Sequence, residues 1–282
     1  MSKKKSKKQR KIFPLDIVGR LIVYVYTLIL TVPFFFVIVT SFKTREERIM
    51  NPIGLPESIN FDNYITALRD GNLILAAKNS IIITCGSTLL FLFFVILVSY
   101  CINRIRNTKI GTAIYMFFLF SMFIPNVSSV TSLMLRRRLG LYNNLIGEII
   151  CGSIGITTAI FIVTGFLRTI PRDLEEAATL DGANDRQICA KVIVPLIKPS
   201  LGTVGILHFT NIWNSALGPM LTLRNEKLYT IPMALLINFS REFSVEYTTM
   251  FAGALITCIP VIIIYVKGQK YFVSAMAGAV KG

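Results

Sequence analysis

Long apolar runs separated by short polar segments dominate the chain. Five runs lack Asp, Glu, Lys and Arg and are long enough to cross a bilayer, for which a helix needs ~20 apolar residues. They are Leu21–Phe42, Asn79–Asn103, Ile110–Leu135, Pro199–Leu223 and Tyr247–Val266. A sixth run, Leu139–Leu167, is interrupted only by Glu148. The pattern predicts an all-α membrane protein with six transmembrane helices.

Composition and charge support this prediction and give the spans an orientation. Hydrophobic residues make up 53% of the chain and the mean hydropathy is +0.62, which excludes an ordinary soluble domain. Lys and Arg are concentrated in the segments on the same side as the two termini, so the positive-inside rule predicts that both termini are cytoplasmic. Residues 1–20 then form a basic cytoplasmic tail that contacts anionic lipid, and residues 21–282 form the six-span domain.

The densest polar interruption in the second half of the chain is residues 169–198, between spans four and five. Gly182 suits the left-handed conformation that ends a helix, and Asn184 or Asp185 suits the cap of the next helix. Pro195 is predicted to end that second helix because a proline lacks a backbone N–H. The segment therefore reads as a compact helix-turn-helix, which the charge rule places in the cytoplasm.

Two other interpretations of this helix-turn-helix were weighed. Insertion into a DNA groove is disfavoured because the second helix offers only Arg186 and Lys191 and apolar spans flank the unit. An interfacial loop without a protein partner is compatible with the spacing alone.

The spacing of the segment carries a family resemblance. Glu176-Ala177-Ala178, three residues, Gly182, nine residues and then Val192-x-Val194-Pro195 resembles the Glu-Ala-Ala coupling motif of permease subunits of binding-protein-dependent ABC importers. That family usually has Ile and Leu at the two valine positions. The resemblance makes seven residues candidates for coupling to an ATPase, namely Glu175, Glu176, Ala177, Ala178, Asp181, Gly182 and Pro195.

The resemblance implies how these residues would act. In that family the loop is cytoplasmic and docks into a cleft on the ATPase subunit. Two alanines would let the helix lie close to the partner, and Glu175 or Glu176 would meet an arginine or lysine across the contact.

Other segments resemble the carbohydrate-uptake branch of the same family. The connection between spans one and two resembles a first outer loop with a short helix at Phe61–Leu68. The chain end resembles the shorter, six-span subunit of the maltose-type importers. The further matching segments are Trp213-Asn214, Pro219-Met220-Leu221, Tyr229-Thr230-Ile231-Pro232, Gln269-Lys270-Tyr271-Phe272-Val273 and Ala277-Gly278-Ala279-Val280-Lys281-Gly282.

The resemblance implies a heteromeric sugar importer of the bacterial cell (inner) membrane that works by alternating access. This chain would form half of the pore with a homologous second permease, bind two ATPase subunits, and receive a carbohydrate from an extracytoplasmic solute-binding protein. The loop Arg224–Glu246 corresponds to a segment that reaches toward that binding protein in maltose-type relatives.

Polar residues inside the spans indicate where a transport path would run. An uncharged or charged sugar offers hydroxyls for amide and hydroxyl partners and an apolar ring face for an aromatic side chain. The alternative is that these groups bond helix to helix and that Trp213 is an interface anchor. The candidates are Asn126, Ser128 and Thr131 in span three, and Asn211, Trp213 and Asn214 in span five.

Some polar residues have no settled role in the sequence. Arg136, Arg137 and Arg138 fall in an outer link, where contact with lipid phosphates is the first interpretation and an anionic partner or substrate the second. His208, inside span five, is interpreted mainly as a structural residue that bonds a neighbouring helix, with a pathway role as the alternative.

No motif supports catalysis, a cofactor or a metal site. The chain has no P-loop, no GxSxG or HExxH pattern and no CxxC pair, and its five cysteines are expected to be free thiols. Nucleic acid is not an expected partner. Two alternatives to an importer stay open: an ion-coupled secondary transporter, for which only Glu148 and His208 are candidate ionisable groups, and a non-transporting membrane scaffold.

Overall fold

The computed structural model describes residues 14–69, 71–105, 108–124, 129–239 and 246–279. Within these residues all regular secondary structure is helical, as the apolar runs predict. In the first part of the chain the helices are α1 (Pro14–Ser41), α2 (Arg45–Met50), α3 (Asp62–Arg69), α4 (Leu73–Arg104), α5 (Thr108–Ser121), α6 (Ser129–Arg138), α7 (Leu145–Gly152) and α8 (Thr157–Leu167).

The later part of the chain alternates short and long helices. The helices are α9 (Asp173–Leu180), α10 (Asp185–Gln187), α11 (Val194–Leu196), α12 (Lys198–Trp213), α13 (Leu217–Thr222), α14 (Ile231–Phe239) and α15 (Tyr247–Ala279). A π-helical turn at Ile188–Ile193 joins α10 to α11, and a 3-10 turn at Glu226–Leu228 precedes α14.

Three continuous helices in the described residues are long and apolar enough to cross a membrane: Val18–Ser41, Leu73–Arg104 and Tyr247–Gln269. They correspond to predicted spans one, two and six. Two bent pairs raise the number of candidate spans to five, because α7 and α8 meet at 47° and the 185–196 stretch meets α12 at 77°.

Three predicted spans are not single straight helices. Span three, Ile110–Leu135, is divided between α5, which ends at Ser121, and α6, which begins at Ser129. Span four is interrupted after Gly152, and in span five α12 ends at Trp213, before α13 begins. Apolar composition alone cannot reveal these breaks, because it shows the length of an apolar run and not the direction in which each part of the run points.

The first helix also differs from its predicted start. It begins at Pro14 rather than at Leu21, so it includes part of the predicted basic tail, whose residues 1–13 lie outside the described part of the chain. The predicted short helix at Phe61–Leu68 is confirmed, with one residue of shift, as α3.

The connection between α1 and α3 is fixed by hydrogen bonds to backbone carbonyls. Lys43, although only 1% exposed, donates from Nζ to the Asn51 carbonyl oxygen at 2.7 Å. Asn63 Nδ2 donates to the carbonyls of Ser41 and Lys43, at 2.8 Å each. The Asn63 bonds satisfy carbonyls left unpaired where α1 ends, and the Lys43 bond does the same at the end of α2.

Helix α4 is the centre of the bundle, since α5, α7, α8, α12 and α14 all pack against it. Its buried positions include small hydroxyl residues such as Ser80, Thr84 and Ser87. Small residues let helices approach closely where lipid gives no hydrophobic incentive to associate. At Gly152 of α7, an added Cβ would lie 2.7 Å from Ser87 Oγ, which shows how close α4 and α7 come.

One hydrophobic cluster joins the 169–198 segment to the spans. Ile188, Ile193 and Ile197 are at most 1% exposed and pack with residues of α4, α8 and α12, including Val95 and Val163. The short helices between spans four and five are therefore part of the core and not an independent loop.

We expect Ile188→Ala to destabilise the protein by about 2–5 kcal/mol, because the substitution leaves a cavity in this cluster. Thermal unfolding in detergent, followed by circular dichroism, would show a lowered midpoint. Leu180→Ala, which truncates a side chain that is 89% exposed, is the matched control. Equal midpoints for the two variants would contradict the packing described here.

Candidate coupling site and polar pathway

Helix α9 ends as the sequence predicts, just before Gly182. Its first turn carries Asp173, Glu175 and Glu176, where the helix dipole favours carboxylates. Gly182 has φ +82°, and its N–H donates to the Thr179 carbonyl while the following N–H, of Ala183, donates to the Ala178 carbonyl, both at 3.0 Å. This pair of bonds is a Schellman motif, which satisfies carbonyls at the helix end.

The next helix begins with a capping box. Of the two predicted caps it is Asn184 that serves, with Oδ1 accepting from the Gln187 N–H at 3.0 Å. Gln187 Oε1 accepts from the Asn184 N–H at 2.9 Å. Both bonds satisfy donors at the helix start, so the turn between α9 and α10 is closed from both sides.

The second helix ends one residue after Pro195, close to the predicted position. The helical stretch continues to Leu196, and the sharp bend into α12 follows at Ile197. A π-helical turn precedes the proline, with the Val194 N–H donating to the Cys189 carbonyl five residues earlier. Local π geometry of this kind accommodates a proline within a helix.

Arg104, at the end of α4, holds both short helices and was not identified from the sequence. Its Nη1 donates to Glu175 Oε2 at 2.8 Å and its Nη2 donates to Asp185 Oδ1 at 2.7 Å. The Tyr100 hydroxyl accepts a further bond from Nη1 at 3.0 Å. Because a guanidinium presents its donors as a planar fork, one side chain fixes α9 and α10 relative to the central helix.

The two glutamates of the motif have different environments. The Glu175 side chain is 15% exposed and pairs with Arg104 inside the chain, whereas Glu176 is exposed. Ala177 is also exposed, but Ala178 packs against the hydrophobic cluster described above. The exposed surface of this turn includes Glu176, Ala177, Thr179, Leu180, Asp181, Gly182 and Asn184.

The candidate pathway residues do not form one group. Asn126 and Ser128 lie outside the described residues, and Thr131 is exposed on α6. Asn211 and Asn214 are exposed on and just after α12.

Trp213 lies in the core and faces no path. It is 2% exposed, donates from Nε1 to the Thr257 carbonyl at 3.1 Å and stacks on Phe209 with 5.8 Å between ring centroids. It therefore joins α12 to α15, and its burial also excludes the interface-anchor alternative within this chain.

His208 has the structural environment that the sequence interpretation favoured. Its Nδ1 lies 3.1 Å from Thr88 Oγ1 and its Nε2 lies 3.1 Å from the Gly152 carbonyl oxygen. The ring stacks on Phe91 with 3.9 Å between centroids. His208 and Asn211 both line a cavity of about 190 Å³.

Arg136 does not reach toward lipid, which corrects the first interpretation for this residue. Its Nη1 lies 2.5 Å from Glu148 Oε1, and Thr222 Oγ1 donates to the same carboxylate oxygen at 2.5 Å. Glu148 is 7% exposed. A buried charge is stable only when it is paired and hydrogen-bonded. Arg136 and Glu148 each give the other an opposite charge and a hydrogen bond.

The neighbouring arginines face the surface. The Arg137 guanidinium lies 4.8 Å from the centre of the Tyr142 ring, and Arg224 Nε donates to the Tyr142 hydroxyl at 3.3 Å. These two cations lower the pKa of Tyr142 below its ordinary value, with the hydrogen bond from Arg224 as the largest cause. Arg138 is exposed.

The described residues contain no group of three His, Cys, Asp or Glu side chains placed to hold a metal ion. All five cysteines are free thiols, as predicted.

The described part of the chain is thus helical, with interrupted apolar helices and a doubly capped helical turn fastened to the central helix α4. The chain belongs to the family described as the binding-protein-dependent transport system inner membrane component, whose model matches residues 93–277. This membership identifies the membrane component of a transport system, not its ATPase, and it excludes the secondary-transporter and scaffold alternatives.

Curated relatives and a solved structure agree with the family. The chain is 34% identical over 257 residues to the probable starch degradation products transport system permease protein AmyC of Thermoanaerobacterium thermosulfurigenes, covering 88% of this chain and 91% of the relative. It is 31% identical over 255 residues to the melibiose/raffinose/stachyose import permease protein MelC of Bacillus subtilis (strain 168), covering 89% and 91%.

The structural match is to a bacterial ABC transporter involved in the import of the acidic polysaccharide alginate. The TM-score is 0.81 at 25% sequence identity, and the match covers 95% of this chain and 99% of the other.

We expect Gly182→Ala to lower stability by roughly 1–2 kcal/mol, the cost of the left-handed conformation for a residue with a Cβ. No atom lies within 4 Å of an added Cβ there, so the backbone alone produces the effect. Gly165→Ala, in α8 with equally open surroundings, is the control and is expected to be neutral or stabilising. A similar change in unfolding midpoint for both variants would contradict the role of the turn.

We expect Arg104→Lys to loosen α9 and α10 while the bundle stays folded, because an ammonium cannot bridge both carboxylates. Because the Asp185 side chain is 74% exposed, solvent weakens its ion pair, and we expect α9 and α10 to lose about 1 kcal/mol of stability against local opening. Amide exchange in residues 173–187 should then be roughly fivefold faster. Hydrogen exchange in detergent measures this. Arg186→Lys, at an exposed position of α10, should leave the exchange unchanged.

Proposed function

We propose that this chain forms half of the translocation pore of an ATP-driven carbohydrate importer and that its 169–198 segment docks on the ATPase. The observation that carries the proposal is the separation of the two glutamates. Glu175 is held by Arg104 within the chain, which leaves Glu176 exposed beside Ala177 and Leu180 on a rigid turn.

The exposed surface suits a protein partner. Leu180 is 89% exposed at the tip of the turn, where an apolar side chain gains by burial in a cleft. Glu176 adds a carboxylate that an arginine or lysine of the ATPase would pair with. Ala177, with its small side chain, allows the close approach of the partner.

The construction of the segment suits the transmission of force. Caps close the turn at Gly182 and Asn184, Arg104 fastens both helices to α4, and Ile188 is buried beneath them. Closure of an ATPase dimer would move this body as a unit and so displace α4, against which α5, α7, α8 and α12 pack. Alternating access follows if that displacement opens the spans on one face and closes them on the other.

The proposed topology has six spans with both termini in the cytoplasm of a bacterial inner membrane. The excess of Lys and Arg on one side of the membrane supports this orientation. The two bent helix pairs and the divided third span would be the three spans that are not continuous helices. Residues 1–20 then form the cytoplasmic tail and residues 21–282 the permease domain.

Carbohydrate is the proposed substrate class. Relatives at 31–34% identity are named for starch degradation products and for melibiose, raffinose and stachyose. Thr131, Asn211 and Asn214 are exposed polar groups on interrupted helices, and hydroxyl and amide side chains of this kind hydrogen-bond to sugars.

The proposed assembly contains a homologous second permease, two ATPase subunits and an extracytoplasmic solute-binding protein. Helix α1 exposes large side chains along most of its length, such as Tyr24 at 72% and Leu28 at 67%, which suits contact with lipid or the second permease. Asn79 of α4 donates from Nδ2 to the carbonyls of Lys227 and Tyr229, at 2.8 and 3.0 Å. These bonds fix the start of the loop that we propose meets the binding protein.

We expect Glu176→Lys to abolish sugar uptake and to reduce co-purification of the ATPase, because the substitution reverses the charge offered to the partner. The protein should still reach the membrane, since Glu176 has an exposed side chain. Uptake by proteoliposomes and the ATPase yield in a pull-down measure the two effects.

Glu46→Lys is the control for charge reversal, because Glu46 is an exposed acid on α2, far from α9 in the chain. Normal uptake by a well-expressed Glu176→Lys variant would refute the proposed charge contact.

A further inference from the structure

Two arginines from distant parts of the chain meet on one tyrosine. The Arg137 guanidinium carbon lies 4.8 Å from the centre of the Tyr142 ring, and Arg224 donates from Nε to the Tyr142 hydroxyl at 3.3 Å. Both arginines are exposed, and so is Arg138, the last residue of α6. We call Arg137, Arg138 and Arg224 the arginine patch.

The charge of the arginine patch is not neutralised within the described part of the chain. None of its three residues forms an ion pair with an acidic side chain there, whereas the neighbouring Arg136 is paired with Glu148. The turn after Arg224 does not supply the missing charge, because its one acid, Glu226, is followed by Lys227. Clustered cations of this kind create a positive surface potential that attracts an anionic group.

The backbone beneath the arginine patch is held by one asparagine. Asn143 has a φ of +54°, and its Oδ1 accepts from the N–H of Arg224 at 2.8 Å and from the N–H of Asn225 at 3.1 Å. Its own N–H donates to the Thr222 carbonyl at 3.0 Å. These bonds join the link between α6 and α7 to the segment after α13, so the positions of the arginines are set before any partner arrives.

The proposed topology places the arginine patch on the outer side of the membrane. Lys and Arg are concentrated in cytoplasmic segments of membrane proteins, so exposed arginines on the outer side do not serve the orientation of the spans. Without an acidic partner in the described residues they also add no ion pair to the fold. Their remaining use is contact with a molecule outside this chain.

We infer that the arginine patch docks an acidic surface of the extracytoplasmic solute-binding protein. The inference rests on the proposed importer and adds the place and the charge of this contact. Arg224 is the first residue of the loop that we propose meets the binding protein, so the patch extends that surface toward α6. Arginine suits the contact because a guanidinium binds a carboxylate through two parallel hydrogen bonds.

Contact with lipid phosphates explains this geometry less well. An arginine that reaches a phosphate extends its side chain toward the membrane–water interface. Arg137 instead stacks on Tyr142, and Arg224 is hydrogen-bonded to the hydroxyl of the same ring. Both guanidinium groups are thus drawn to one point on the protein.

The test measures how fast the binding protein associates, because exposed charges at an interface act mainly on the association rate and its salt dependence. The complete importer is placed in nanodiscs, and the labelled probe is the sugar-loaded binding protein that stimulates its ATPase. For the wild type we expect association to be about tenfold faster at about 0.01 M salt, where charges act over ~30 Å, than at about 0.15 M salt.

Two double variants separate charge from shape. We expect Arg137→Gln with Arg224→Gln to associate about tenfold more slowly than the wild type at about 0.01 M salt, and the difference to shrink at about 0.15 M salt. Arg137→Lys with Arg224→Lys keeps the charge and should retain most of the wild-type rate. The control is Arg69→Gln, which removes an exposed arginine at the end of α3, on the same side of the proposed topology, and should associate as the wild type does.

The outcomes separate the inference from the function on which it rests. A wild-type rate that does not change with salt, or equal rates for the glutamine pair and Arg69→Gln, overturns the docking surface and leaves the proposed importer intact. A defect of the glutamine pair that appears in nanodiscs containing phosphatidylglycerol and is absent in phosphatidylcholine alone assigns the arginines to lipid and also overturns the inference. If no solute-binding protein stimulates the wild-type ATPase, the proposed function itself fails, and the docking inference fails with it.

Discussion

Within a bilayer, a backbone N–H or C=O without a protein partner costs several kcal/mol, and this constraint decides where the helices can be interrupted. After α7, Ser153 donates from N–H to the Ile149 carbonyl and from its hydroxyl to the Ile150 carbonyl. The Gly152 carbonyl is hydrogen-bonded to His208 Nε2. After α12 the Asn214 N–H still donates to the Thr210 carbonyl. Breaks that are satisfied in this way concentrate polar groups.

The same requirement shapes the 169–198 segment, which lies between α8 and α12. Its helix ends are closed by the Schellman motif at Gly182 and the capping box at Asn184, so few backbone groups are left to fray. Hydrophobic burial of Ile188 and Ile193 then joins it to the bundle. A unit that is both internally capped and packed on the core would move together with the helices around it, as the proposed contact with an ATPase requires.

Charged side chains that the fold buries or partly buries are likewise paired within the chain. Arg104 with Glu175 and Arg136 with Glu148 each pair residues distant along the chain or on different helices, and both pairs hold neighbouring helices together. Because Glu175 is used within the chain, Glu176 remains on the surface for a partner. The fold thus decides which of these charges stay exposed.

The sequence by itself determined the features that depend on local or periodic physics: the apolar spans, the short helix α3, the left-handed turn at Gly182 and the cap before α10. Only the tertiary structure decided the pairings. Trp213 is buried against α15, Arg136 finds Glu148, and one of two adjacent glutamates is claimed by Arg104. Propensity and hydropathy act over a few residues, so they fix where helices form. Contacts between helices depend on the angles at which helices cross and bend, such as the 77° bend into α12. The pattern of apolar and polar residues along the chain does not specify those angles.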